Sequence, residues 1–76
     1  MNYNYIDSTR DIIKELKESG NSKLAQEVEV IFYGTGIQTE LLGLLRNKFK
    51  ESKLDVVPIA TYEKIKELLK WIDEVF

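Results

Sequence analysis

The chain has 76 residues, 43% of them hydrophobic and 32% charged, which is the composition of an ordinary soluble globular domain. It contains neither cysteine nor histidine, which excludes disulfides, thiol nucleophiles, imidazole acid-base groups and the usual zinc ligands. The 11 basic residues are outnumbered by 13 acidic ones, a balance that disfavours an electrostatically driven nucleic-acid binder.

This length predicts one domain over residues 1–76, with a core that gives only about 3 to 5 kcal/mol of net stability. No apolar segment approaches the roughly 20 residues that a membrane span needs. The N-terminus also lacks a basic region followed by an apolar run. We therefore expect a cytoplasmic protein.

The first predicted helix covers residues 8–19, where Thr9, Ile12, Ile13 and Leu16 recur at helical spacing. Ser8 is the expected N-cap, with Asp11 three residues further on as in a capping box. Gly20 is the expected C-terminal stop.

The second segment, residues 22–33, fits two interpretations. Its β-branched and aromatic run from Val28 to Tyr33 is typical of a strand. Its apolar residues also follow a helical spacing, at Leu24, Val28, Ile31 and Phe32. The helix is favoured, because two strands around one intervening helix would make an isolated two-stranded parallel sheet. The second of these strands would cover residues 55–60, where Pro58 would remove a hydrogen bond from the sheet.

Two more helices are predicted, over residues 39–51 and 61–76. Thr39 is the expected N-cap of the third, and Glu40 in its first turn suits the helix dipole. Gly43 inside this helix suggests a neighbouring helix that passes close by. Thr61 is the expected N-cap of the fourth, whose apolar stripe comprises Tyr62, Ile65, Leu68, Leu69, Ile72, Val75 and Phe76. The predicted fold is an all-α, compact antiparallel bundle of four helices.

The glycine-rich stretch between the second and third segments, residues 34–40, raises the question of a phosphate-binding loop. A dinucleotide fingerprint would need a third glycine where Thr39 stands, and a P-loop would need a lysine near the helix start. Glu40 would place negative charge where a phosphate should bind. A corner between two helices is favoured, with Gly34 in the left-handed conformation and Thr39 as the next cap. An α/β phosphate- or nucleotide-binding domain remains the alternative.

Two groups of side chains are candidates for binding a partner. Asp7, Asp11, Glu15 and Glu18 follow one another at spacings of 4, 4 and 3 along one flank of the first helix. We call them the acidic row. It could meet a basic surface, or it could be a solvated face whose charge pairs contribute about 0.2–0.5 kcal/mol each.

The second group is aromatic and comprises Tyr3, Tyr5 and Trp71, with Tyr33 as a further member. Such residues are enriched at the centres of interfaces, and they also cover the open ends of small cores.

Catalytic and metal-binding residues are not predicted. The carboxylate pairs Glu27 with Glu29 and Asp73 with Glu74 lie off the apolar stripes, so no perturbed pKa is expected for general acid-base work. Carboxylate-only metal binding lacks the Glu-x-x-His pair of di-iron bundles. We expect no cofactor, no metal and no enzymatic activity.

The segment from Gly34 to Arg46 has the pattern G-x(4)-T-E-[IL]-L-x-x-L-R. Its defined positions after the glycine are Thr39, Glu40, Leu41, Leu42, Leu45 and Arg46. In this it resembles small bacterial all-helical proteins of no assigned activity. The resemblance implies a helical fold and no particular chemistry.

The sequence is therefore interpreted as a small protein-protein interaction domain. A stoichiometric inhibitor of the immunity-protein or antitoxin type, directed at a basic toxin domain, fits the small size, the acidity and the acidic row. A weak helix-turn-helix nucleic-acid binder is a further alternative, because Arg46, Lys48, Lys50 and Lys53 cluster at the end of the third helix. Broad apolar faces on four short helices also leave self-association open.

Overall fold

The computed structural model describes residues 3–75, and this part of the chain forms four α-helices and no strand. Helix α1 spans Tyr5–Glu18, α2 spans Ser22–Gly34, α3 spans Gln38–Glu51 and α4 spans Ile59–Val75. The predicted all-α four-helix fold is confirmed, and residues 22–33 are helical. Phe76, predicted as the end of the last apolar stripe, lies outside the described residues.

The helices form a closed ring in which α1 and α3 each pack against both α2 and α4. Short connections at residues 19–21 and 35–37 lead from each helix back along its neighbour, as in an antiparallel bundle. Each helix contributes fully buried side chains to one core, the largest being Phe49, Ile12, Leu16, Leu45, Ile65, Leu68, Ile72 and Val28. Their helical spacing explains why these four segments fold onto one another.

Helix α1 begins one turn earlier than predicted. The Oδ1 atom of Asn4 accepts hydrogen bonds from the backbone N–H groups of Ile6 and Asp7, both at 3.1 Å, so Asn4 is the N-cap. Ser8 lies inside the helix, and the prediction that it caps α1 is wrong. The additional turn places Tyr5 on the same side as Thr9, whose hydroxyl donates to the Tyr5 carbonyl at 2.7 Å.

Helix α4 also begins earlier, at Ile59, and the Pro58 carbonyl accepts the N–H of Tyr62 at 2.9 Å. Proline is compatible with a helix start because the first N–H groups of a helix have no partner within it. Thr61, predicted as the cap, is instead a helical residue with only 1% of its surface exposed.

The corner between α2 and α3 differs in detail from the prediction. Gly34 is the last residue of α2, and Gly20 is the one described glycine with positive φ, at 83°. Helix α3 starts at Gln38 without a side-chain cap, so Thr39 is not its N-cap. Gly43 has no atom of another helix within 4 Å of an added Cβ, so the expected close approach is also wrong. Because the segment before Gly34 is helical, the strand-loop-helix arrangement of a phosphate-binding loop is not formed.

A candidate protein-binding face between the first and fourth helices

The acidic row is divided by the fold into exposed and engaged carboxylates. Asp7, Asp11 and Glu18 are exposed on α1. Glu15 turns toward α4, and only 25% of its side chain is exposed. The row therefore presents three carboxylates to a partner, while the fourth joins two helices.

Glu15 binds two side chains of α4. Its Oε1 accepts a hydrogen bond from the Thr61 hydroxyl at 2.7 Å, and its Oε2 forms an ion pair with the Lys64 ammonium group. The hydrogen bond from Lys64 holds the pKa of Glu15 below its ordinary value, and the Thr61 hydroxyl lowers it further. The same hydrogen bond raises the pKa of Lys64, to which Asp11 adds a smaller effect. Glu15 is thus a structural residue that fixes α1 against α4.

The aromatic residues predicted as an interface form one stacked cluster. The Trp71 ring lies 5.2 Å from the Tyr5 ring, with 15° between their planes, and 5.5 Å from the Tyr3 ring at 36°. All three side chains are half-buried and pack against the core from the α1 and α4 sides. Tyr33 is not among them, because it lies at the end of α2 with its ring against Phe32 at 4.9 Å.

The Tyr3 hydroxyl is buried and makes no well-directed hydrogen bond with any residue in the range 3–75. Burial raises the pKa of Tyr3, the nearby Ser8 hydroxyl partly offsets this, and the charge of Glu67 raises it again. The phenol is therefore neutral over the physiological pH range, and it lies close to a carboxylate of α4.

We use the name α1–α4 face for these residues and the side chains beside them on α1 and α4. It comprises Tyr3, Tyr5, Asp7, Asp11, Glu15, Glu18, Lys64, Glu67 and Trp71. On α4, Lys64 and Trp71 are seven residues apart and hence on the same side of the helix. The charge of Lys64 on this side of α4 is neutralised by Glu15. Lys64 is the link between the two groups, because it pairs with Glu15 of the acidic row and lies on the same side of α4 as Trp71.

Of the four basic residues near the end of α3, Arg46, Lys48 and Lys50 lie close to carboxylates, and Lys53 is exposed. Arg46 Nε lies 2.8 Å from Asp73 Oδ1, although its N–H direction is poor for a hydrogen bond, and Lys50 lies 4.0 Å from Asp73 Oδ2. Lys48 lies 3.0 Å from Glu51 and 3.9 Å from Glu27. This partial neutralisation disfavours the nucleic-acid alternative.

Among the remaining carboxylates, Glu29 pairs with Lys17 at 2.9 Å. Residues 3–75 contain no group of three carboxylates placed to hold a metal ion. None of the four described helices is long and apolar enough to cross a membrane.

A second surface was not predicted from the sequence. Four apolar residues surround Pro58, and of these only Val57 is buried: Leu54, Val56, Val57 and Ile59. Val56 and Ile59 are 67% and 76% exposed, and they lie beside an open groove between α3 and α4. The surplus of apolar residues around Pro58 is the sequence signal that could have indicated this surface.

Comparisons with protein-family models, with curated proteins and with solved structures give no match for this chain.

Proposed function

We propose that the chain is a small cytoplasmic protein-protein interaction domain that binds a basic partner through the α1–α4 face. The observation that carries the proposal is that Asp7, Asp11 and Glu18 are exposed on α1, and that α1 packs against α4, the helix that carries the half-buried Trp71. Aromatic rings and carboxylates are the two kinds of group that bind arginine and lysine side chains.

The aromatic part of the face suits a guanidinium group. Tyr3, Tyr5 and Trp71 restrain one another by stacking, so little side-chain entropy remains to be lost on binding. An arginine placed on such a ring gains about 0.5–2 kcal/mol, depending on how far it is desolvated. The exposed Glu67 carboxylate, one turn before Trp71 on α4, offers an ionic partner beside the cluster.

The acidic part of the face contributes mainly to the rate of association and to partner choice. Exposed carboxylates steer a positively charged surface toward the face, and they oppose acidic competitors. Arg10 and Lys14 lie among these carboxylates on α1, whereas Lys17 and Lys64 are paired with Glu29 and Glu15. The exposed carboxylates of Asp7, Asp11, Glu18 and Glu67 outnumber Arg10 and Lys14, so the net charge of the face is negative.

Stoichiometric inhibition is the mode of action that this face supports best. A protein that covers a basic toxin domain needs a complementary surface and a stable fold, and it needs no nucleophile, metal or cofactor. The immunity-protein or antitoxin class is therefore the proposed class. Its partner would carry arginine or lysine side chains at the centre of its own interface.

Co-expression with the product of each adjacent gene, followed by size-exclusion chromatography, tests the proposal. A one-to-one complex is expected. Either Asp11→Lys or Glu18→Lys should weaken it by about tenfold or more, because like charges then face one another. Glu40→Lys is the matched control, since Glu40 is exposed on α3, a helix that does not pack against α1.

Glu15 is left unchanged in this experiment because its loss would disturb the fold as well as the face. Circular dichroism should show the same helix content and similar thermal midpoints for all three variants. The proposal fails if no neighbouring product forms a complex. It also fails if Glu40→Lys weakens the complex as much as Asp11→Lys does.

A further inference from the structure

An apolar groove of about 580 Å³ lies between the end of α3, the connection at residues 52–58 and the first turns of α4. Its apolar lining consists of Phe49, Leu54, Val57, Ile59, Tyr62 and Leu69. Phe49 and Val57 form a buried floor, whereas Ile59 is 76% exposed and Tyr62 is 39% exposed. Contiguous exposed apolar surface of this kind is a common mark of a binding site.

Positive charge predominates at the rim of the groove. The Lys66 ammonium nitrogen lies 5.5 Å from the centre of the Tyr62 ring, and no carboxylate of residues 3–75 lies within 4.0 Å of it. The ammonium group of Lys50 lies 4.0 Å from the Asp73 carboxylate, which is closer to Arg46, at 2.8 Å. Asp73 therefore neutralises Lys50 only in part. Asp55 supplies the single negative charge of the lining.

We infer that this groove binds an amphipathic helical segment of another protein, whose apolar side chains enter the groove and whose acidic side chains reach Lys50 and Lys66. A helix is favoured over an added strand because the described chain has no sheet edge that could pair with a strand. A protein segment is favoured over a small amphiphile because of the exposed side chains of Val56 and Ile59 near the groove. A ligand that fills only the floor of the groove would leave both side chains exposed, whereas a helix is large enough to cover them.

The groove is a separate surface from the α1–α4 face. Lys64 and Lys66 are two positions apart on α4 and so point to nearly opposite sides of that helix. Lys64 contacts α1, while Lys66 lines the groove beside α3. Binding of an acidic helix in the groove therefore does not depend on whether a basic partner occupies the α1–α4 face.

Two synthetic peptides serve as probes in an NMR titration of the ¹⁵N-labelled protein. Both carry leucines at positions i, i+3, i+4 and i+7, and they differ in having either glutamates or lysines beside this apolar stripe. The glutamate peptide should shift the amide signals of Leu54, Ile59 and Tyr62. The lysine peptide should bind at least about tenfold more weakly, because its charges meet Lys50 and Lys66.

Two pairs of variants make the assignment specific. Ile59→Glu should abolish binding of the glutamate peptide, whereas Val30→Glu, at a position 68% exposed on α2, should leave it unchanged. Lys66→Glu should weaken binding by about tenfold, whereas Lys70→Glu, one turn further along α4 and outside the groove lining, should not. The substituted side chains are all exposed, so each variant is expected to fold.

The inference is overturned if the amide shifts lie outside the groove, if both peptides bind equally, or if neither binds at about millimolar concentration. It is also overturned if size-exclusion chromatography shows a concentration-dependent dimer that Ile59→Glu disrupts, since a second copy would then fill the groove. If dodecanoate shifts the amide signals of the groove residues and neither peptide does, the groove binds a small amphiphile instead.

Discussion

Glu15 provides the sharpest test of how α1 is held against α4. Replacing Glu15 with alanine removes the acceptor of the Thr61 hydroxyl, which is 1% exposed, and the ionic partner of Lys64. A buried hydroxyl left without its partner costs about 1–3 kcal/mol. The ion pair with Lys64 is screened by solvent and adds little to this loss. We therefore expect Glu15→Ala to lower the free energy of unfolding by about 2 kcal/mol.

That loss is large for a chain of 76 residues, whose core is expected to give about 3–5 kcal/mol of net stability. Thr61→Val removes the hydroxyl and keeps the side-chain volume, so it should cost about 1 kcal/mol. In the double variant no hydroxyl is left unpaired. Its total loss should therefore be about 1 kcal/mol smaller than the sum of the two single losses.

Urea unfolding followed by the fluorescence of Trp71, the one tryptophan, measures all three variants. Glu18→Ala is the control, because Glu18 is an exposed neighbour on the same helix. If Glu15→Ala falls within about 0.5 kcal/mol of Glu18→Ala, the contact between the helices does not contribute as described. Additive single losses would likewise refute direct coupling between Glu15 and Thr61.

The pH dependence has a defined sign. The pKa of Glu15 is lower in the folded protein than its ordinary value, so the unfolded state binds the proton more readily. Its contribution is complete above about pH 4.3, the ordinary value for glutamate, and is lost as the pH falls through the folded value. The raised pKa of Lys64 acts oppositely: its contribution is complete below its ordinary pKa and is lost as the pH rises through the folded value. The stability difference between the wild type and Glu15→Ala should therefore shrink in acid.

Three further substitutions test local features of the fold, each by urea unfolding. Gly43→Ala should stabilise the protein by about 1 kcal/mol, because an added Cβ meets no neighbour. Gly20→Ala should destabilise it by about 1 kcal/mol, because the φ of Gly20 is 83°. Stabilisation by both substitutions would contradict the turn at Gly20. Asn4→Ala should lower the free energy of unfolding by about 1 kcal/mol, and Ser8→Ala should lower it by less than half of that, because Asn4 is the N-cap. A larger loss for Ser8→Ala than for Asn4→Ala would place the cap at Ser8. Leu45 lies in the core, so Leu45→Ala should lower the free energy of unfolding by about 2–5 kcal/mol. Leu44 is 45% exposed, so Leu44→Ala should lower it by less than about 1 kcal/mol. Equal losses would contradict the assigned core.

Helical periodicity was sufficient to predict the four helices and most of the core. Leu16, Leu45 and Leu68 lie at positions that the spacing alone assigns to an apolar stripe, and each is fully buried. The helix starts were harder to predict, because several residues near each start can cap a helix. Asn4 and Pro58 begin α1 and α4 earlier than Ser8 and Thr61 would, since the longer helices bring Tyr5 and Thr61 into tertiary contacts.

The candidate surfaces show a similar limit. Spacing correctly placed the acidic row on one flank of α1, yet it could not show that Glu15 would meet Thr61, 46 residues away. Burial of Thr61 depends on how α4 packs, and local sequence carries no record of that packing. The groove was missed for the same reason, because whether Ile59 covers the core or faces solvent depends on where α4 begins.

The central claim is that the α1–α4 face binds a basic partner, and an NMR titration of the ¹⁵N-labelled chain with an arginine-rich peptide tests it most directly. Amide shifts should cluster at Tyr3, Tyr5, Asp11 and Trp71. They should diminish as salt is added, and they should be lost in Asp11→Lys but retained in Glu40→Lys. Shifts that cluster elsewhere, or that are the same in Asp11→Lys as in the unchanged chain, would contradict the claim.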